Sequence, residues 1–169
     1  MSTVLDEPLK EVDVFGGNIG EARKITGLSE DATPAELLNA LGAKMNIDGS
    51  RSRMIAVTLK EKGAAVAYYK PGEDAPVIAE VPACKVKVKD ATGAGDTFKI
   101  GLLTYVTRHL DDFREGRLDV LEATRFGNAT AASYISGFGT ENVGTFDETL
   151  AFMRREYPAT AATRRRIKA

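Results

Sequence analysis

Cysteine and histidine are scarce in this sequence, whose 169 residues include one cysteine, Cys84, and one histidine, His109. One cysteine cannot form an intramolecular disulfide, and these two residues cannot supply a multi-cysteine zinc site or a histidine-rich metal centre. No apolar stretch reaches the length of about eighteen residues that a membrane span needs, and residues 1–11 lack the basic and apolar regions of a signal peptide. We therefore expect a cytoplasmic protein that does not enter a membrane.

The sequence also has no large excess of positive or negative charge. Lysine and arginine number 23 and aspartate and glutamate 24, so the net charge is −1, and we expect no nucleic-acid partner. Residues 158–169 contain basic side chains but no acidic one, which is typical of a disordered, solvated tail. The hydrophobic share of 43% is enough for one core, which we assign to a single domain over residues 1–157.

Short apolar segments alternate with stretches of helical periodicity. Residues 54–59 are an almost continuous apolar run, the pattern of a parallel strand that is covered on both faces. Residues 12–15, 64–69 and 76–81 are also predicted strands, the last two on either side of a turn rich in proline, glycine and acidic residues. The alternation indicates an α/β fold with a mostly parallel sheet flanked by helices.

Capping residues mark the predicted helices. Thr33 and Glu36 form a capping-box pattern that predicts a helix through about residue 45, and Thr145 and Glu148 predict another through about residue 157. Gly27 is placed to end an earlier helix as its C-cap. Further helices are predicted after the glycine-rich segment 90–96 and over 118–136.

A glycine-rich turn precedes the predicted helix that carries Phe98. In Gly93-Ala94-Gly95 several backbone N–H groups can converge, and the helix adds the positive end of its dipole, which together would cradle a phosphate. Asp96 follows directly, and a carboxylate beside a phosphate suits a group that takes the proton from an attacking hydroxyl. A purely structural turn, with an aspartate that only favours the helix dipole, is the alternative.

Four motifs in order resemble those of the PfkB (ribokinase-like) carbohydrate kinases. Asp90 to Phe98, with the sequence DATGAGDTF, resembles the second signature of this family, and Gly101 stands where the motif has another glycine. Asn18-Ile19-Gly20-Glu21 resembles the Asn-x-x-Glu motif of the family. Residues 57–63 are similar to the strand and turn beneath the nucleotide phosphates. Segments 125–128 and 137–139 fall where the family has its adenine-pocket helix and closing loop.

The resemblance implies a ribokinase-like fold and phosphoryl transfer from ATP, with Mg²⁺, to a hydroxyl of a sugar, sugar phosphate or nucleoside. Asp96 would be the catalytic base, and the amides around Gly93, Ala94 and Gly95 would form the anion hole. The resemblance implies that the nucleotide is bound by Asn18, Thr58, Lys60, Gly63, Asn128 and Gly139. It assigns Mg²⁺, through water, to Glu21, and a monovalent cation such as K⁺ to Asp90 and Thr92.

Several of these residues have structural alternatives. Asn18 and Glu21 have the spacing of a capping box, a role as well supported by the sequence as metal binding. Asn128 lies among alanines on a predicted helix, where a solvent-facing or backbone-bonding asparagine is commoner than a ligand. Lys60 replaces the glycine usual in relatives, and Ile100 replaces a small residue, so we expect isoleucine to crowd the floor of the pocket.

The resemblance covers only the C-terminal, nucleotide-binding half of the longer kinases, so we expect a fold truncated at its N-terminal half. The first strand would then form an uncovered sheet edge, and uncovered edges attract partner strands. We therefore expect a homodimer or association with a complementary chain that completes substrate binding. The alternative function is a catalytically inactive nucleotide-binding subunit with an assembly or regulatory role.

Overall fold

A four-stranded sheet forms the centre of the molecule in a computed structural model that describes residues 6–137 and 141–158. The strands lie in chain order. They are β1 (Val14–Asn18), β2 (Arg53–Thr58), β3 (Ala64–Tyr69) and β4 (Val77–Val81). β1 pairs with β2 in parallel, whereas β2 with β3 and β3 with β4 pair antiparallel.

The sheet is therefore mixed rather than mostly parallel, and the lengths of the connections explain the difference. A parallel pair needs a crossover of about a dozen residues or more, whereas an antiparallel pair can be joined by a short turn. Residues 59–63 join β2 to β3, so this pair can only form a hairpin. The connection from β1 to β2 is long enough to contain two helices, and this pair is parallel.

Seven helices accompany the sheet in the described part of the chain. They are α1 (Asp6–Glu11), α2 (Ile19–Thr26), α3 (Pro34–Lys44), α4 (Ala94–Arg108), α5 (Leu110–Arg114), α6 (Val120–Ile135) and α7 (Phe146–Glu156). The capping boxes at Thr33 and Thr145 are confirmed, and Gly27 ends α2 in the left-handed conformation with φ of 74°. None of these described helices is long and apolar enough to cross a membrane.

The central strand β2 is buried on both faces, as its apolar run predicts. Met54 and Ala56 face a core that includes Phe98 of α4 and Phe126 of α6. The alternate residues of β2 face a second core with the buried leucines of α3. Because successive side chains of a strand point to opposite faces, one apolar run serves both helical layers. The result is a sheet between two layers of helices.

Close packing of α4 against α6 fixes the direction of α4. A β-carbon on Gly101 would lie 2.3 Å from Oγ1 of Thr130, and one on Gly127 would lie 2.9 Å from the Phe98 ring. Glycine at these two positions lets the helices approach closely, with no room for a larger residue. The N-terminus of α4 is thereby held beside the ends of β1 and β2.

Candidate active site

A cleft of about 260 Å³ lies where the carboxyl ends of β1 and β2 meet the N-terminus of α4. The two strands are parallel, so they end at the same edge of the sheet, the position at which open α/β sheets bind their ligands. The cleft is lined by Gly17, Asn18, Glu21, Thr58, Ala91, Gly93, Ala94, Gly95, Asp96 and Lys99. Seven of the thirteen predicted site residues thus share one cavity, although they come from three separate stretches of the sequence.

The first turn of α4 presents backbone N–H groups to this cleft. Gly93 is the N-cap in the left-handed conformation, with φ of 81°, and no side chain caps the helix. Glycine is required there because other residues rarely adopt this backbone conformation. The Ala94 N–H donates to the Ala91 carbonyl at 3.2 Å, so the turn itself uses one of the predicted anion-hole amides. The amides of Gly95 and Asp96 are the remaining first-turn donors that a helix leaves without an internal partner.

Asp96 is the third residue of α4, and its side chain is 78% exposed. Its Oδ1 lies 2.7 Å from Nζ of Lys99, one turn further along the helix. A hydrogen bond and the positive charge of Lys99 lower the pKa of Asp96 below its usual range. The carboxylate is therefore ionised at neutral pH, the form in which it can accept a proton.

Asn18 and Glu21 stand on the other side of the cleft, where β1 passes into α2. Asn18 Oδ1 accepts from the Glu21 N–H at 2.9 Å, and Glu21 Oε2 accepts from the Asn18 N–H at 2.9 Å, which completes a capping box. This structural role uses one polar atom of each side chain. Nδ2 of Asn18 and Oε1 of Glu21 are not part of the box, and both side chains are exposed in the cleft.

Thr58, at the end of β2, also lines the cleft, but Lys60 and Gly63 do not. Lys60 is exposed and has φ of 58°, a left-handed conformation that glycine adopts more readily than lysine. A β-carbon on Gly63 would lie 2.1 Å from the Val81 carbonyl oxygen. Glycine at position 63 therefore lets the start of β3 lie close to the backbone of residues 81–83, at the end of β4.

Asn128 and Ile100, both expected at the nucleotide pocket, do not line the cleft. Asn128 is buried and donates from Nδ2 to the carbonyl oxygens of Val81 and Pro82, at 3.2 and 3.1 Å, and its role in nucleotide binding stays a prediction. Gly139 lies outside the described residues. Ile100 does not crowd the cleft, because it is 63% exposed and is not among the lining residues.

Asp90 and Thr92 precede the helix in a local turn rather than in the cleft. Asp90 Oδ1 accepts from the Thr92 N–H at 2.8 Å, and hydrogen bonds from Thr92 lower the pKa of Asp90. Both residues are exposed, while Ala91 and Gly93 on either side of Thr92 line the cleft. The monovalent-cation role of Asp90 and Thr92 stays a prediction.

Three lining residues were not predicted from the sequence, Gly17, Ala91 and Lys99, and of these Lys99 alone has a charged side chain. The available signal was its spacing: residues three apart on a helix lie on the same face, so a lysine three positions after Asp96 can reach that carboxylate.

The model of the pfkB family carbohydrate kinases matches residues 1–145. This chain belongs to that family. The match confirms the resemblance seen in the motifs.

Solved structures with the ribokinase-like fold are similar to this pfkB-family chain. Fructokinase from Vibrio cholerae O395, crystallised with fructose, ADP and calcium, is 27% identical with a TM-score of 0.65. A putative ribokinase II from E. coli in complex with ATP and Mg²⁺ is 23% identical with a TM-score of 0.62. A nucleoside kinase from Methanocaldococcus jannaschii is 22% identical with a TM-score of 0.62. At the lower identities the likeness concerns the fold alone.

The chain spans less than half the length of these kinases. It aligns over 87% of its own length with 42% of the fructokinase chain, and over 89% with 42% of each of the other two.

Proposed function

We propose that this chain supplies the nucleotide-binding and catalytic part of an ATP-dependent kinase that phosphorylates a hydroxyl of a sugar, sugar phosphate or nucleoside. One observation carries the proposal: the Asp96 carboxylate and the uncapped first turn of α4 line the same cleft at the ends of two parallel strands. Family membership supports the same reaction class.

The first turn of α4 is suited to the terminal phosphates of ATP. Its free N–H groups and the positive end of the helix dipole favour an anion, and such fixed donors stabilise charge that grows on a transferring phosphoryl group. Removing one donor of this kind typically costs about 2.7–4 kcal/mol of transition-state stabilisation. Asn18 and Thr58 approach the same cleft from the strand ends and can donate to phosphate oxygens.

Asp96 acts as the base in this proposal. An acceptor hydroxyl gives its proton to the Asp96 carboxylate while its oxygen forms a bond to the terminal phosphorus of ATP, and the bond from that phosphorus to the bridging oxygen breaks to release ADP. The ionised state of Asp96 fits this task. The neighbouring amides hold the phosphoryl group close to the carboxylate without adding negative charge.

The residues present fit Mg²⁺ that is bound mainly by phosphates and water. No group of three or more histidine, cysteine, aspartate or glutamate side chains could hold a metal ion within residues 6–137 and 141–158. Mg²⁺ keeps several waters and uses one or two carboxylates together with substrate phosphates. Glu21 would hold such an ion through water, and the ion would offset phosphate charge. Asp90 and Thr92 are the candidates for K⁺.

Acceptor binding calls for more surface than this cleft offers, and the unpaired edge of β1 is the candidate place for a partner. Within the described residues β1 pairs on one side only, and on α4 Ile100 and Leu103 are 63% and 45% exposed. Unpaired strand groups and exposed apolar side chains are typical of surfaces that bind another element. The partner in this proposal is a second copy or a complementary polypeptide, which size-exclusion chromatography with light scattering would detect.

The test is ADP release from Mg-ATP in the presence of ribose, fructose, fructose 6-phosphate or adenosine, with wild type and Asp96→Asn. Loss of a general base lowers kcat by about 10²- to 10⁴-fold, whereas ATP binding measured by calorimetry should persist. Asp147→Asn is the matched control, because Asp147 is also an exposed acid in a first helical turn. Turnover that survives Asp96→Asn would remove Asp96 as the base. Nucleotide binding without turnover on any acceptor would favour the inactive-subunit alternative.

A further inference from the structure

Lys99 reaches back along α4 to the proposed base. Its Nζ lies 2.7 Å from Oδ1 of Asp96, and both residues line the cleft. An ion pair at this spacing on a helix surface usually contributes only a few tenths of a kcal/mol to stability. The position of this pair, at the mouth of the anion-binding turn, therefore matters more than its contribution to folding.

The aliphatic part of the Lys99 side chain crosses the middle of β1, where Gly16 leaves room for it. A β-carbon on Gly16 would lie 2.9 Å from Cγ and 3.2 Å from Cδ of Lys99. Gly16 does not have a left-handed backbone, so its conformation would accept another residue. The Lys99 side chain is 34% exposed, against 78% for Asp96. Lys99 is thus the more enclosed member of the pair, and the contact given for the Asp96 carboxylate is the one with Lys99.

The charges around the cleft show what Lys99 offsets. The charged lining residues are Glu21 from α2 and Asp96 and Lys99 from α4, and no charged residue of β1 or β2 lines it. The Asp90 carboxylate, in the loop before α4, is engaged by the Thr92 N–H. Two carboxylates would repel the phosphates of a nucleotide, and Lys99 is the single cation among the described lining residues.

We propose that Lys99 is a positioning residue, whose ammonium holds the Asp96 carboxylate at the rim of the anion-binding turn and offsets its charge so that a nucleotide phosphate can approach. The inference rests on the proposed function, because it takes Asp96 as the base. The same contact lowers the pKa of Asp96. Without Lys99 this pKa rises toward its ordinary value, and the acidic limb of a kcat/KM profile moves to higher pH.

The experiment compares the wild-type chain with Lys99→Met, Lys99→Arg and Gly16→Ala. The pKa of Asp96 is measured from its carboxyl carbon by NMR, a readout that needs no turnover, and the Mg-ATP dissociation constant by calorimetry. Lys70→Met is the matched control, because Lys70 pairs with Glu73 at the same helical-type spacing, at 3.4 Å, but outside the cleft. The urea midpoint of each variant reports whether the fold is intact.

We expect Lys99→Met to raise the pKa of Asp96 and to weaken Mg-ATP binding about three- to tenfold, as loss of one partly exposed charge near an anion predicts. Lys99→Arg should restore both values. Gly16→Ala should shift both in the same direction, though less, because it displaces the aliphatic part of the Lys99 side chain without removing the charge. Lys70→Met should leave both unchanged.

Unchanged values in Lys99→Met would overturn the inference, while the Asp96→Asn assay would still decide the proposed function. A shifted pKa with unchanged Mg-ATP affinity would identify an ordinary surface ion pair and would overturn it as well. Conversely, shifts in both quantities would support the positioning role of Lys99 even if no tested acceptor were phosphorylated.

Discussion

The side-chain amide of Asn128, on α6, donates to the carbonyl oxygen of Pro82, at 3.1 Å, just after β4 ends. The Tyr157 hydroxyl donates to the same carbonyl, and Asn128 also donates to Val81. Asn128 and Val81 are buried, at 7% and 3% exposure, whereas Pro82 is exposed. Asn128, which the resemblance places at the nucleotide, thus links α6 to the end of β4 by hydrogen bonds.

Asn128→Ala should destabilise the protein by about 1–3 kcal/mol, because it removes hydrogen bonds to two carbonyl groups, one of which belongs to the buried Val81. Urea unfolding measures this loss. The Mg-ATP dissociation constant should stay within about twofold of wild type, since Asn128 does not line the cleft. Tyr157→Phe is the comparison and should lose about 1–2 kcal/mol, because its hydroxyl donates to the Pro82 carbonyl and accepts from Nδ2 of Asn128. Weaker ATP binding with unchanged stability would instead mean that Asn128 contacts the nucleotide.

Gly63 and Gly72 both have positive φ, of 104° and 74°, but their surroundings differ. A β-carbon on Gly63 would meet the backbone at 2.1 Å, whereas one on Gly72 would meet nothing within 4 Å. We expect Gly72→Ala to cost about 1–2 kcal/mol through backbone strain alone. Gly63→Ala should cost more than about 3 kcal/mol, or prevent folding, because β3 must also move away from the end of β4. Urea midpoints that fall equally in both variants would refute the steric argument.

The sequence predicted those features that local chemistry determines. Thr33 and Glu36 satisfy each other within one helical turn, and Gly93 adopts a conformation that few other residues tolerate, so both could be recognised from neighbouring residues. The order of motifs also predicted that Asn18 and Asp96 would meet. The cleft follows from this combination of local signals and family resemblance.

Features that depend on distant contacts could not be predicted in the same way. The Asn128 contact with Val81 joins residues 47 positions apart, and nothing local distinguishes it from a solvent-facing asparagine. The antiparallel pairing of β3 was missed because an apolar run does not specify the direction of its neighbour. Lys99 was missed for another reason: its meaning depends on the room that Gly16 leaves on a separate strand.

The carboxylate of Glu36 should make part of the free energy of unfolding depend on pH. Its Oε2 accepts from the N–H and hydroxyl of Thr33, at 2.7 and 2.8 Å, and these bonds lower the pKa of Glu36. A lowered folded-state pKa means stabilisation that is present above the unfolded value of about 4.3 and is lost as pH falls through the folded-state pKa. Glu36→Gln should therefore be less stable than wild type at pH 7, and the difference should shrink below about pH 4.

Urea midpoints of both proteins between about pH 2.5 and 7 measure this effect. Glu80→Gln, at an exposed position on β4, is the control for loss of a glutamate without a capping role. A difference between Glu36→Gln and wild type that stays constant down to the lowest pH would mean that the carboxylate charge does not stabilise the cap.

A substitution at Gly95 can distinguish an effect on folding from an effect on phosphate binding. Its backbone is not left-handed, and a β-carbon there would meet nothing within 4 Å, so the folded chain has no need of glycine at this position. Alanine in the first turn of α4 should leave the urea midpoint unchanged or raise stability by up to about 1 kcal/mol, since glycine is the weaker helix former. The new methyl group would nevertheless stand beside an amide that lines the cleft.

We therefore expect Gly95→Ala to weaken Mg-ATP binding at least tenfold while the protein keeps its stability. Calorimetry with Mg-ATP measures the first quantity and urea unfolding the second. Gly72→Ala is the control for binding, because its turn joins β3 to β4 at the opposite end of the sheet from the Thr58 side of the cleft. Unaltered ATP affinity in Gly95→Ala would mean that phosphate does not approach this turn, since a phosphate close enough to accept from the Gly95 amide leaves little space for a methyl group.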